Sequence, residues 1–219
     1  MDRFRLLPRE PVNALTHLAG AVLSVVGAVL LIRSGLAHGP RHVVALGVFG
    51  VSLVLLYVAS TLYHALPCSP RALVRLRRFD HMMIYVLIAG TYTPVGLLVI
   101  GGTLGAAVVI AAWVVAALGI VQKAVWIEAS DWISAGFYLA MGWAGVLLIR
   151  PLLGAAPLWF AGLIALGGGV YTVGAVVFAT ERPRLWPGRF GAHELWHLCV
   201  LAGSASHFWA VMRYVEVAA

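Results

Sequence analysis

The fold turns on how one stretch is read: Ala192-His193-Glu194-Leu195-Trp196-His197-Leu198-Cys199-Val200-Leu201-Ala202-Gly203-Ser204-Ala205-Ser206-His207-Phe208-Trp209. On a helix His193 and His197 fall on one face about one turn apart, and two imidazoles so placed can bind one metal ion. His193 to His197 also spells the His-Glu-x-x-His pattern of zinc proteases, in which Glu194 would be the general base. The same letters open an apolar run. Whether they belong to a soluble metalloenzyme or to a membrane span depends on the rest of the chain.

Composition decides for the membrane. With 219 residues, 62% of them hydrophobic and 11% charged, and a mean hydropathy of +0.96, the chain has too few polar residues to coat a soluble globule. A bilayer core needs about 20 apolar residues per helix. Seven runs meet that length, at roughly 14–35, 43–66, 79–100, 104–123, 132–150, 157–179 and 192–213. Turn residues separate them: Gly39-Pro40, Pro67 with Pro70, Gly101-Gly102, Ser130-Asp131, Pro151, and Pro183 with Pro187-Gly188. The expected fold is an all-α membrane protein, a single seven-helix transmembrane bundle over residues 1–219 with no soluble domain and no internal repeat. The first run follows Arg3, Arg5, Arg9 and Glu10 and is far longer than the apolar core of a signal peptide, so it is expected to stay as the first span.

The net charge of +7 does not call for nucleic acid as a partner. The basic residues cluster in the gaps between apolar runs, where they set topology, and no basic-aromatic surface accompanies them. An N-terminus in the cytoplasm leaves eleven Lys/Arg inside (Arg3, Arg5, Arg9, Arg71, Arg75, Arg77, Arg78, Lys123, Arg182, Arg184, Arg189) and four outside (Arg33, Arg41, Arg150, Arg213). The positive-inside rule therefore predicts a cytoplasmic N-terminus and an outside C-terminus. Cys68 and Cys199 lack both metal-ligand spacing and a disulfide partner and are expected as free thiols.

Topology gathers distant residues at one depth. His64 closes the second span on the cytoplasmic side, Asp80 begins the third there, and His193 and His197 begin the seventh. Glu10, Asn13 and His17 join them from the start of the first. Polar stripes at helical spacing, Tyr57-Ser60-Thr61-His64 and His193-His197-Ser204-His207, point these residues into the bundle, and ionisable groups at membrane depth are functional candidates by default. Three neutral imidazoles, His64, His193 and His197, supply three of the four positions of a zinc site of catalytic type, with water in the fourth. Asp80 would hold or deprotonate that water, and Ser60, one turn before His64, would bond the water or a substrate carbonyl. Glu10, Asn13 and His17 would either fix imidazole tautomers or serve as caps at the helix start. The plainer alternative is a buried polar cluster that only ties helices together. His81 and His207 read as interior or interfacial polar contacts. Thr91-Tyr92-Thr93-Pro94 reads as a proline kink, and Lys123, Glu128 and Asp131 as a surface loop network.

The order Glu10-Pro11-x-Asn13-x-x-Thr16-His17, Ser60-x-x-x-His64, Phe79-Asp80-His81, then His193-x-x-x-His197 with Ser204-x-x-His207-Phe208 resembles the haemolysin III family over nearly the whole chain. That family is the bacterial branch of the progestin and adipoQ receptor group, akin to the adiponectin receptors and more distantly to the alkaline ceramidases. The resemblance implies a seven-helix protein of the bacterial inner (plasma) membrane with zinc near the cytoplasmic face. By position it implies His64, His193 and His197 as ligands, Asp80 beside the zinc water, and Ser60 as the second-span serine. It further implies hydrolysis of an amide or ester bond in a membrane lipid, as in the ceramidases, or, from the family's name, lysis of membranes by a pore-like protein with structural zinc. In that superfamily the residue after the first seventh-span histidine need not be acidic, which makes Glu194 incidental. An intramembrane zinc protease is the minor alternative. The long N-terminal cytosolic region of the animal relatives has no counterpart before the first span, so their hormone-receptor role is not expected here.

Overall fold

The computed structural model describes residues 8–128, 130–186 and 189–217. Arg3, Arg5 and the Pro187-Gly188 turn lie outside the described residues. Among the described residues seven helices are long and apolar enough to cross a membrane: α1 Pro11–Leu36, α2 Pro40–Ala65, α3 Pro70–Ile100, α4 Gly102–Val125, α5 Asp131–Ala155, α6 Leu158–Thr180 and α7 Ala192–Val217. Proline occupies the start of the first three, Pro11, Pro40 and Pro70, where its fixed φ suits a helix and its missing N–H would have no intrahelical partner. Ser69 and Ser130 cap α3 and α5 by accepting from the amides of Ala72 and Ile133, each at 3.4 Å.

Burial is inverted relative to a soluble protein. Leu23, Leu118, Leu147 and Leu158 are exposed, while Asn13, His17, Ser60, His64, His197 and His207 are buried. Such a surface suits hydrocarbon and such an interior suits a polar site. Helix α1 packs on α2 and α7, α7 on α6, α6 on α5, and α3 lies against α2, α4 and α5. Its apolar window is 61% buried against 22% for α4, so α3 is the central helix and α4 a peripheral one. The main core joins α1, α2, α3 and α7 through Leu31, Leu46, Phe49, Leu56, Leu87 and Val211.

Three details depart from the sequence reading. Helix α3 begins at Pro70, nine residues before the predicted span, because the Arg71–Arg78 stretch is helical and carries the span beyond its apolar part. Pro94 produces more than a kink: a π-helical turn, Val95–Ile100, follows it and ends at Gly101 with φ of 68°. There α3 and α4 meet so closely that a Cβ on Gly105 would lie 2.0 Å from the Gly96 carbonyl oxygen. Pro151 does not end the fifth span. Helix α5 tightens to a 3-10 turn at Ala144–Leu148 and resumes as α-helix at Ile149, so Pro151 falls in a first turn, where a missing N–H is tolerated.

Candidate metal centre

The centre forms where the end of α2 meets the starts of α1 and α7. The chain just before α1 is docked on the last turn of α2 by two backbone bonds, Glu10 N–H to the His64 carbonyl at 3.0 Å and Arg9 N–H to Ala65 at 3.3 Å. His64 and His197 are buried and His193 is half-buried. One ring nitrogen from each of these three lies within 4.8 Å of the others. The ring centroids form a near-equilateral triangle with sides of 5.1, 4.7 and 4.9 Å. Each ring keeps one buried nitrogen without a hydrogen-bond partner: His64 Nε2, His193 Nε2 and His197 Nδ1. Three converging imidazole nitrogens without partners are costly in a buried site, and a divalent cation would satisfy all three through their lone pairs.

Glu10 prepares His64 for that role. Its Oε2 lies 2.5 Å from His64 Nδ1; a carboxylate only accepts, so Nδ1 carries the proton and Nε2 is bare. Burial alone would raise the Glu10 carboxyl. The hydrogen bonds from His64 and Asn13 and the charge of Arg9 act against that and hold it below the ordinary carboxylate value, so Glu10 is ionised at any physiological pH. Arg9 is fixed in turn, 3.0 Å from Glu10 and donating to the Tyr63 carbonyl at 2.8 Å. Nothing in the sequence pattern distinguished this arginine from the others near the ends of the spans. Glu10→Ala is expected to lower affinity for a divalent metal by about 10–100-fold, read by competition with a chromophoric chelator. An unchanged affinity would show that the Nδ1 contact does not tune the site.

Asn13 links two carboxylates, donating to Glu10 at 3.2 Å and to Glu194 at 3.1 Å. Glu194 also accepts from the Gly191 amide at 2.7 Å, which makes it the reach-back half of a capping box at the start of α7. Both of its oxygens are thus engaged at the helix start, away from the role of a protease base. Glu194 is a structural residue that helps orient the helix carrying His193 and His197. His17 stacks on His197 with centroids 3.7 Å apart and lies 2.7 Å from the Ser60 hydroxyl through Nδ1.

Ser60, Asp80, His193 and His197 line one end of a cavity of about 250 Å³. From there it runs between α3, α5, α6 and α7, past Leu87, Ile88 and Val95 on one side and Ile164 and His207 on the other, and its wall is largely apolar. The 3-10 turn of α5, which lines it through Gly145, Val146 and Leu148, is among the more exposed parts of the bundle. Tyr92 holds that turn by donating to the carbonyls of Met141 and Gly142, both at 3.0 Å.

The structure brings together every residue singled out for the site. His81 also lines the cavity, with its Nδ1 buried and unpartnered. The expected surface network at Lys123 is not there: Lys123 is fully buried and donates to Ser134 at 2.6 Å. Its position at the end of an apolar run is equally compatible with solvent and with the interior, and packing of α4 against α5 chose the latter. Cys68 and Cys199 are free.

Comparison with known proteins agrees with this architecture. The sequence model for the haemolysin-III-related family matches residues 6–208. The chain is 38% identical over 212 residues to Hemolysin-3 of Bacillus cereus, covering 96% of this chain and 94% of that one. It is 36% identical over 209 residues to a Hemolysin-3 homolog of Bacillus subtilis, 95% of each. Human monocyte to macrophage differentiation factor is 28% identical over 207 residues, 93% of this chain and 83% of that one.

Proposed function

This chain belongs to the haemolysin-III-related family of multi-pass bacterial membrane proteins, and from that premise we propose that it is a zinc-dependent hydrolase of an amide or ester bond in a membrane lipid. The observation that carries the reading is the coincidence of three unpartnered, buried imidazole nitrogens with a carboxylate and a hydroxyl at the head of an apolar cavity. A plain structural tie between helices would pair those nitrogens and would need no such cavity. Zinc in a three-histidine setting supplies a Lewis acid and an activated water. Asp80 takes the proton released as water attacks the carbonyl carbon and delivers it to the leaving amine or alkoxide. Ser60, held by His17, directs its hydroxyl at the carbonyl oxygen. The apolar wall takes the acyl chain and keeps bulk water out. The distribution of Lys and Arg supports an orientation with the N-terminus and this centre towards the cytoplasm.

Incubation of the metal-loaded protein with lipid amides and esters in mixed micelles, read by mass spectrometry, is expected to release a free fatty acid, and a chelator is expected to stop the release. Absence of release across both bond types would overturn hydrolysis. The names of the Bacillus relatives support a second reading, membrane lysis with structural zinc; lysis that persists at full rate in zinc-free protein would favour lysis without a zinc requirement.

A further inference from the structure

His207 is a polar residue of the cavity wall with no part in the chemistry above. His207 lies on the same face of α7 as His193 and His197 but deeper in the membrane, and is only 8% exposed. Its Nδ1 is 2.8 Å from the Gly203 carbonyl oxygen. A carbonyl only accepts, so Nδ1 carries the proton and Nε2, on the opposite edge of the ring, is a bare acceptor. The ring is held in place on two sides. It stacks on Tyr171 with centroids 5.4 Å apart, and it lies over Gly167, where a Cβ would come 2.3 Å from Nδ1. Tyr171 is in turn fixed by Ser204, hydroxyl to hydroxyl at 2.9 Å. The same cavity joins this ring to the metal centre, and nearby wall residues such as Val95, Leu152 and Ile164 are apolar.

We propose that His207 is a specificity-determining residue that accepts a hydrogen bond from a hydroxyl far along the acyl chain of the substrate, so that the cavity prefers hydroxyacyl to plain acyl lipids. This rests on the lipid-hydrolase reading and adds the class of chain to it. An acceptor in a largely apolar cavity is left unpaired against a plain hydrocarbon chain, whereas a chain hydroxyl satisfies it. Distance sets where the hydroxyl belongs. His207 is ten residues beyond His197, about 15 Å along a helix. An extended chain with bonds of about 1.5 Å at about 111° advances about 1.25 Å per carbon, which places the hydroxyl about twelve carbons from the carbonyl.

The test is binding of three free acids, stearate, 2-hydroxystearate and 12-hydroxystearate, to the detergent-purified full chain, by displacement of a fluorescent fatty acid. The 12-hydroxy acid is expected to bind about tenfold more tightly than stearate, and the 2-hydroxy acid about as stearate does. His207→Phe keeps a ring over Gly167 and removes Nε2; Gly167→Ala keeps the imidazole and forces it to move. Each is expected to bring the ratio of the affinities for 12-hydroxystearate and stearate from about tenfold to within about twofold of unity. Equal binding of stearate and 12-hydroxystearate, or a preference that survives both substitutions, would overturn the assignment and leave the lipid reading standing. Failure of all three acids to bind would overturn both.

Discussion

Protein purified in mild detergent is expected to carry about one zinc ion per chain, and both His64→Ala and His193→Ala to carry none after the same purification. The two residues lie far apart in the sequence and on different helices, so joint loss reports a site that exists only in the assembled bundle. The size of the effect follows from the donor count. Among the described residues three imidazoles converge in one ligand-competent group, and removal of one leaves two, which is short of what a stable site needs. Loss of a ligand therefore exceeds the 10–100-fold typical of an outer-shell change such as Glu10→Ala. Folding of the variants is checked by retained helicity and monodisperse elution. A folded wild-type protein that takes up no zinc on addition of the metal would sink the hydrolase reading and leave the polar cluster as a tie between helices.

Asp80→Asn is expected to abolish measurable hydrolysis, a fall of about 10²–10⁴-fold, with zinc content unchanged. Asparagine keeps the size and shape of the side chain but replaces one acceptor oxygen by a donor, carries no charge and cannot take up and release a proton. Asp80 is not among the three converging donors but lines the cavity beside two of them, which is why metal and activity should separate at this residue. Glu194→Gln is the matched control. Gln keeps an acceptor for the Gly191 amide and can donate to Asn13, whose Oδ1 is without a partner, so the substitution is expected to leave hydrolysis nearly intact. Loss of activity in Glu194→Gln with activity retained in Asp80→Asn would reverse the assignment and restore the protease reading of His193 to His197.

The Glu194 case shows what kind of fact a sequence motif can carry. His-Glu-x-x-His specifies a spacing along one helix, and spacing alone puts Glu194 about 100° round from His193. Whether that direction faces a metal, lipid or a neighbouring helix depends on which helix packs there. Asn13, 181 positions away in the chain, turned out to be its partner. His17 is similar. Its depth was legible from its place at the start of the first span, but its stacking on His197 and its contact with Ser60 depend on how α1 is rotated against α2 and α7.

By itself the sequence determined the membrane class, the seven spans to within a few residues apart from the start of α3 and the end of α5, and the three histidines that share one depth. These are properties of local apolar length and of position along a span, and they add up along the chain without reference to neighbours. Tertiary structure alone decided that Glu10 orients His64, that Glu194 caps α7, that Lys123 is buried on Ser134, and that one cavity joins the metal centre to His207. Hydropathy sets how deep a residue lies in the bilayer. It says nothing about the rotation of each helix about its own axis, which is settled only when all seven helices pack at once.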